Sequence, residues 1–208
     1  MLDKTFTILD LETTGGSPFF NRIIEIGFLR VEKGEIVDTF NTLINPGIPI
    51  PEIITEITGI KDEDVVNAPI FDDIKEGLAD SLENTILVAH NSGFDYGFLE
   101  AEFHRSGWGF AMDSLCTVRL SRVLFPEHKH HNLDAIIERF GFSIKNRHRA
   151  LDDAKVLWEF LQLLPEKFPR DQVEKAMSRT MQKLSPKQQR RLSANPDNEL
   201  TYIYEEET

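Results

Sequence analysis

The stretch "TFTILDLETTGG", Thr5 to Gly16, decides how the chain is read. Phe6, Ile8 and Leu9 are strand formers, yet two acids, Asp10 and Glu12, stand at the end of the run. Side chains two apart on a strand project to the same face, so Asp10 and Glu12 point together. Two like charges aimed at one spot describe either a solvated strand end or a site for a divalent cation. The pair by itself leaves both open.

Two further strands follow closely. Residues 22–32 and 35–44 carry strand patterns separated by "KGE", Lys33 to Glu35. A connection this short makes them antiparallel neighbours. "NPGIPIPE" then leaves the sheet, because proline cannot donate to a ladder. A helix is expected over Asp72–Ser81 and a short buried strand over "TILVAH", Thr85 to His90. "FDYGFLEAEFHRSG" reads as a helix stopped by Gly107, and a fifth strand is expected near Ala111–Asp113. Helices are expected over 115–124, 131–140 and 149–164. An antiparallel start followed by strand–helix alternation implies an α/β domain, a mixed five-stranded sheet flanked by helices.

The bulk numbers bound the class. The chain has 208 residues, of which 40% are hydrophobic, enough for one domain with a full core. It contains no apolar run able to span a bilayer and no signal-peptide pattern at its start, and Cys116 is its sole cysteine. A cytoplasmic protein without membrane association is the expectation. A net charge of −12 argues against coating duplex nucleic acid by bulk electrostatics, but not against gripping one strand end. Pro165 and Pro169 suggest a boundary, giving a domain over 1–166 and a basic helical extension with an acidic tail over 167–208. The basic part, Lys167 to Arg191, reads as a solvated helix or as a guide for an entering strand.

Two later motifs bring more acids. "AHNSGFD" puts Asp95 at a helix start, and "HRALDDA" puts His148 five residues before Asp153. Ala150, Leu151, Ala154, Leu157, Trp158 and Leu161 form an apolar stripe at helical spacing. At about 100° per residue, Asp153 falls beside that stripe and Asp152 nearly opposite it. Asp153 is the acid expected to face the protein body.

In this order and spacing, "DLETTG", "AHNSGFD" and "HRALDDA" resemble the DnaQ-like 3′–5′ exonucleases of the DEDD superfamily, histidine subtype, closest in flavour to the epsilon-like and PolC-like proofreading group. "RIIEIG", "NPGIPIP", "EITGI" and "HNLD" fit the same family. The resemblance implies a ribonuclease H-like fold. It implies Asp10, Glu12, Asp95 and Asp153 as metal ligands and His148 as general base. It also implies Thr13, Thr14, Gly15 and Asn91 as contacts to the terminal nucleotide, although turn chemistry and local capping would equally explain those four. Hard oxygen ligands suit two divalent cations, Mg²⁺ or Mn²⁺, which would balance four carboxylates and stabilise the attacking and leaving oxygens of a phosphodiester.

The implied activity is removal of nucleotides from a single-stranded or frayed DNA 3′ end in proofreading or repair, with a DNA polymerase subunit as an implied partner. RNase T-like or oligoribonuclease-like RNA trimming is the alternative, and a non-catalytic binding module the third reading. Gly16 departs from the family, in which a bulky apolar residue follows "TTG" and packs on the last base. Phe19 or Phe20 could supply that face, or both could pack in the core.

Overall fold

The computed structural model of the chain describes residues 4–183. Its six strands are β1 (Phe6–Thr13), β2 (Ile23–Glu32), β3 (Glu35–Leu43), β4 (Ile86–Ala89), β5 (Ser114–Cys116) and β6 (Met181–Gln182). They form one sheet in the order β3-β2-β1-β4-β5-β6. β1, β2 and β3 pair antiparallel, whereas β1–β4 and β4–β5 are parallel. This is the expected mixed α/β sheet with one strand more than expected. The additional strand, β6, has two residues and pairs antiparallel with β5. So short a piece has no period of its own to read in sequence.

Helices cover both faces: α1 (Glu52–Thr58), α2 (Asp62–Val65), α3 (Phe71–Leu82), α4 (Gly93–Arg105), α5 (Thr117–Leu124), α6 (Leu133–Phe140), α7 (Ala150–Lys167) and α8 (Arg170–Thr180). The central strand shows why two layers form. Phe6 and Ile8 enter one core with side chains of α5, α6, α7 and α8. Leu9 and Leu11, on the opposite face, enter a second core with α3 and α4. Asp10 and Glu12 continue the register of Phe6 and Ile8, so they lie on the α7 side of the sheet.

Three expectations need correction. The fifth strand lies at Ser114–Cys116, not Ala111–Asp113, because its partners are Leu87–Ala89. α7 runs through Pro165 to Lys167 rather than stopping at Leu164. A proline in the last turn removes one hydrogen bond, and the helix ends at Phe168 in any case. The basic extension beyond 166 is not one continuous helix: α8 ends at Thr180 and β6 follows. Val173, Ala176 and Met177 of α8 are buried in the same core as α7. Residues 184–208, with the distal basic residues and the acidic tail, lie outside the described residues. Among the described residues, no helix is long and apolar enough to cross a membrane.

Candidate active site

β1 supplies the first two acids at its C-terminal end. β4 runs parallel to it, so the turn leaving β4 arrives at the same edge and starts α4. Asp95 in the first turn of α4 is thereby brought to Asp10, and it accepts hydrogen bonds from the amides of Leu11 and Asp95 itself. Asp153 comes from the first turn of α7 and is 2% exposed. Its neighbour Asp152 turns away, accepting from Asn146 Nδ2 at 3.1 Å and Lys155 Nζ at 3.0 Å. The helical stripe thus separated the two acids in the expected sense.

A close approach of backbones holds α7 against the sheet. Gly27 of β2 lies opposite Asp10. A Cβ at Gly27 would sit 2.2 Å from the Leu151 nitrogen and 2.5 Å from the Ala150 carbonyl carbon. Glycine is what lets the start of α7 rest directly on β2. Glu25, opposite Glu12 and fully buried, finishes the attachment. It accepts from Arg149 Nη2 at 2.8 Å, from Arg149 Nε at 3.0 Å, and from the Ala150 amide at 3.1 Å. The two-pronged guanidinium contact is charge-assisted and directional. It fixes where α7 begins, and therefore where Asp153 and His148 stand. Sequence reading missed this pair and the role of Gly27; a glycine inside a strand pattern was the available signal.

Electrostatics follow from convergence. Burial raises the Asp10 carboxyl well above its ordinary range, and Asp95, Asp153 and Glu12 push it further. Burial, then Asp153 and Glu25, raise Glu12 to about 8. Asp95 is raised to about 8, chiefly by burial, against the pull of its amide hydrogen bonds. Asp153 rises to about 6, again by burial, with Arg147 opposing. Ligand atoms of Glu12, His148 and Asp153 lie within 4.8 Å of one another. Asp153 Oδ1 is buried with no hydrogen-bond partner. An orphaned carboxylate oxygen within a cluster of hard oxygen donors fits a divalent cation.

His148 has φ +60°, a left-handed backbone uncommon for a non-glycine residue. It precedes α7 and is partly exposed at the mouth of the cluster. Burial and the neighbouring Arg147 lower its pKa, so the ring is neutral near pH 7 and can accept a proton. Asn91 also has positive φ, +70°; it is exposed in the turn before α4, and its carbonyl accepts from the Phe94 amide at 2.8 Å.

The loop after β1 is tightly self-bonded. Thr13 Oγ1 donates to the Gly15 carbonyl at 2.8 Å, and the Arg22 amide donates to Thr14 Oγ1 at 3.0 Å. Both threonines are buried. A Cβ at Gly15 would strike the Asn21 side chain at 2.7 Å. These contacts shape the loop, whereas a Cβ at Gly16 would meet open space. Phe19 and Phe20 are exposed rather than packed in the core.

The family described as Exonuclease, RNase_T, matches residues 7–161, which include every motif that builds this site. The chain belongs to this exonuclease family. Its members hydrolyse phosphodiester bonds and generally use divalent metal ions. The exonuclease chain is 38% identical over 160 residues to the DNA polymerase III PolC-type of Clostridium perfringens, covering 77% of the chain and 11% of that protein. It is 37% identical over 164 residues to the PolC-type polymerase of Caldanaerobacter subterraneus subsp. tengcongensis, covering 78% of the chain and 12% of that protein. The chain thus spans about an eighth of the length of these curated relatives. Solved structures share the fold. Exonuclease X in complex with 5′ overhanging duplex DNA superposes with TM-score 0.62 at 24% identity, covering 83% of this chain and 99% of that one. The nuclease domain of 3′hExo bound to rAMP, a DEDDh family member, gives 0.66 at 23%, covering 78% and 92%.

Proposed function

We propose that this exonuclease removes nucleoside 5′-monophosphates from the 3′ end of single-stranded or frayed DNA, as a proofreading or repair activity in the cytoplasm alongside a DNA polymerase. The observation that carries the reading is the meeting of Asp10, Glu12, Asp95 and Asp153, from three distant segments, on one edge of the sheet. The DNA substrate and polymerase setting draw support from the PolC-type relatives.

In this reading the four carboxylates hold two divalent cations, Mg²⁺ or Mn²⁺. Such cations, when bound, neutralise the cluster and polarise the scissile phosphodiester. The protein's own groups do the rest. Asp10 and Glu12, on a central strand, form the fixed wall of the site. Asp95 and Asp153 close it from two helix starts. His148 takes the proton of the attacking water as that water's oxygen bonds to phosphorus, and the 3′ oxygen of the preceding nucleotide leaves. Thr13, Thr14 and Gly15 form the floor for the terminal nucleotide, the two threonine hydroxyls keeping the loop in shape. Asn91 flanks the scissile end.

The test is digestion of matched DNA and RNA oligonucleotides, labelled at either end, with Mg²⁺ or Mn²⁺. Stepwise shortening of 5′-labelled DNA from its 3′ end is expected, with Asp153→Asn inactive and Asp152→Asn near native. Preference for RNA would move the assignment to RNA 3′-end trimming. No cleavage under either cation would leave a binding module.

A further inference from the structure

Arg147 stands one residue before His148, and its guanidinium reaches the acidic cluster. Its Nη1 donates to Asp153 and lies 3.4 Å from His148 Nδ1. Its Nε donates to Asp134, in the first turn of α6, at 2.6 Å. The third nitrogen, Nη2, meets no acceptor among the described residues. The side chain is 27% exposed, so a ligand can reach it from the mouth of the site.

Counter-charge for the acids does not by itself account for this arrangement. Arg149 shows what a purely attaching arginine looks like here. It uses both Nε and Nη2 on Glu25, a fully buried carboxylate. Arg147 is anchored instead on Asp134, whose side chain is 62% exposed. An ion pair with so exposed a carboxylate adds little to stability. What it does is fix the direction of the guanidinium while leaving N–H groups of a rigid, planar fork unused.

The surroundings say what those donors would meet. A strand end brings phosphodiesters toward a chain of net charge −12 and into a cluster of four carboxylates. Two divalent cations would balance the carboxylates and leave the charge of the phosphate itself unmatched. The cations of the protein whose charge acts on Glu12 are Arg147 and Arg149. Arg149 is committed to Glu25, so the spare donors belong to Arg147. Ligand atoms of Glu12, His148 and Asp153 lie within 4.8 Å of one another. A phosphate attacked beside His148 therefore sits next to a guanidinium that already touches Asp153 and His148. Forked contact with two phosphate oxygens is the interaction an arginine makes best.

We propose that Arg147 is a phosphate-binding residue of this site, its fork holding the non-bridging oxygens of the phosphate at the scissile bond, with Asp134 as the positioning residue that aims it. The proposal rests on the exonuclease reading and adds to it a protein ligand for the reacting phosphate.

The released nucleotide keeps that phosphate, so thymidine 5′-monophosphate is the probe and thymidine, which lacks the phosphate, its control. Titration calorimetry of both is run with saturating Mg²⁺, which removes any change in cation affinity from the reading. The native protein is compared with Arg147→Gln, Arg147→Lys and Asp134→Asn. Arg147→Gln is expected to bind the monophosphate about 10- to 100-fold more weakly, the loss of a charge-assisted hydrogen bond, with thymidine bound as before. Arg147→Lys keeps the charge without the fork and should recover part of the loss. Asp134→Asn should lose part of the affinity through aim alone. Unchanged or tighter monophosphate binding in Arg147→Gln would overturn the proposal, and so would an equal loss for thymidine, which would mark a general distortion of the site. If the native protein bound no monophosphate, the proposal would fail, and cleavage of labelled DNA by the same preparation would show whether the exonuclease reading fails with it.

Discussion

Arg147 joins two acids that belong to different helices: its Nη1 donates to Asp153 in α7, and its Nε donates to Asp134 in α6 at 2.6 Å. The guanidinium thus supplies positive charge at the acidic cluster and opposes the upward push on Asp10, Glu12 and Asp153. It occupies one carboxylate oxygen of Asp153 and leaves the other without a partner. A cation that takes Asp153 competes with Arg147, whose contact with Asp134 gives it a second anchor.

Arg147→Gln should therefore tighten Mg²⁺ or Mn²⁺ binding, by about tenfold if the lost competitor is one charge-assisted hydrogen bond. Titration calorimetry reads this without any turnover. Lys145→Gln, which removes an exposed charge from the same loop, is the control for a general change in field. Equal tightening in both variants would show that Arg147 acts through charge alone, and unchanged affinity in Arg147→Gln would remove it from the competition.

The raised carboxyls set how the cation-free protein responds to pH. An unfolded chain releases these protons in the ordinary carboxylate range near 4, whereas folded Glu12 and Asp95 hold theirs to about 8. Their contribution is therefore fully present below about pH 4 and is lost as pH rises toward about 8. The cation-free melting temperature should fall between about pH 5 and 8 through this contribution. Added Mg²⁺ should restore it at the upper end, and Glu12→Gln should flatten the slope. A cation-free melting temperature that climbs through that window, unaffected by Glu12→Gln, would contradict the assignment.

His148 is expected to act on the proton and not on the cations. His148→Ala should lower kcat by roughly 10²–10⁴-fold, the range for loss of a positioned general base, with cation affinity little changed. Because burial and Arg147 lower its pKa, native activity should climb with pH below about 6.5 and level off above. A His148→Ala variant retaining full activity with the same rise would take the ring out of the reaction.

Gly27, beside Asp10 and without a side chain of its own, carries a prediction about positioning. A methyl group at Gly27 would meet the first residues of α7 well inside contact distance. Gly27→Ala should cost about 1–3 kcal/mol of stability as α7 is forced outward. It should reduce activity more than stability, since Asp153 and His148 move with the helix. Urea denaturation and cleavage assays on the same preparation separate the two effects. A variant as active as the native protein would show that the close approach has slack.

The sequence by itself determined much of this protein. The alternation of Phe6, Ile8, Asp10 and Glu12 put the two acids on one face, because strand geometry has a period of two. The helical stripe from Ala150 to Leu161 chose Asp153 over Asp152, because helix geometry has a period of 3.6. Both are local rules, and both produced the observed side. What tertiary structure decided is the contact between segments far apart in the chain. No local pattern says that Glu25 reaches Arg149, that Arg147 lies between Asp153 and Asp134, or that a glycine in β2 sets the height of α7. The two-residue strand β6 exists because the edge of β5 had unpaired backbone groups to offer. Phe19 and Phe20 could have been core or surface by composition alone. They are surface because Arg105 and Ser17 hold their backbone where no apolar neighbour covers the rings.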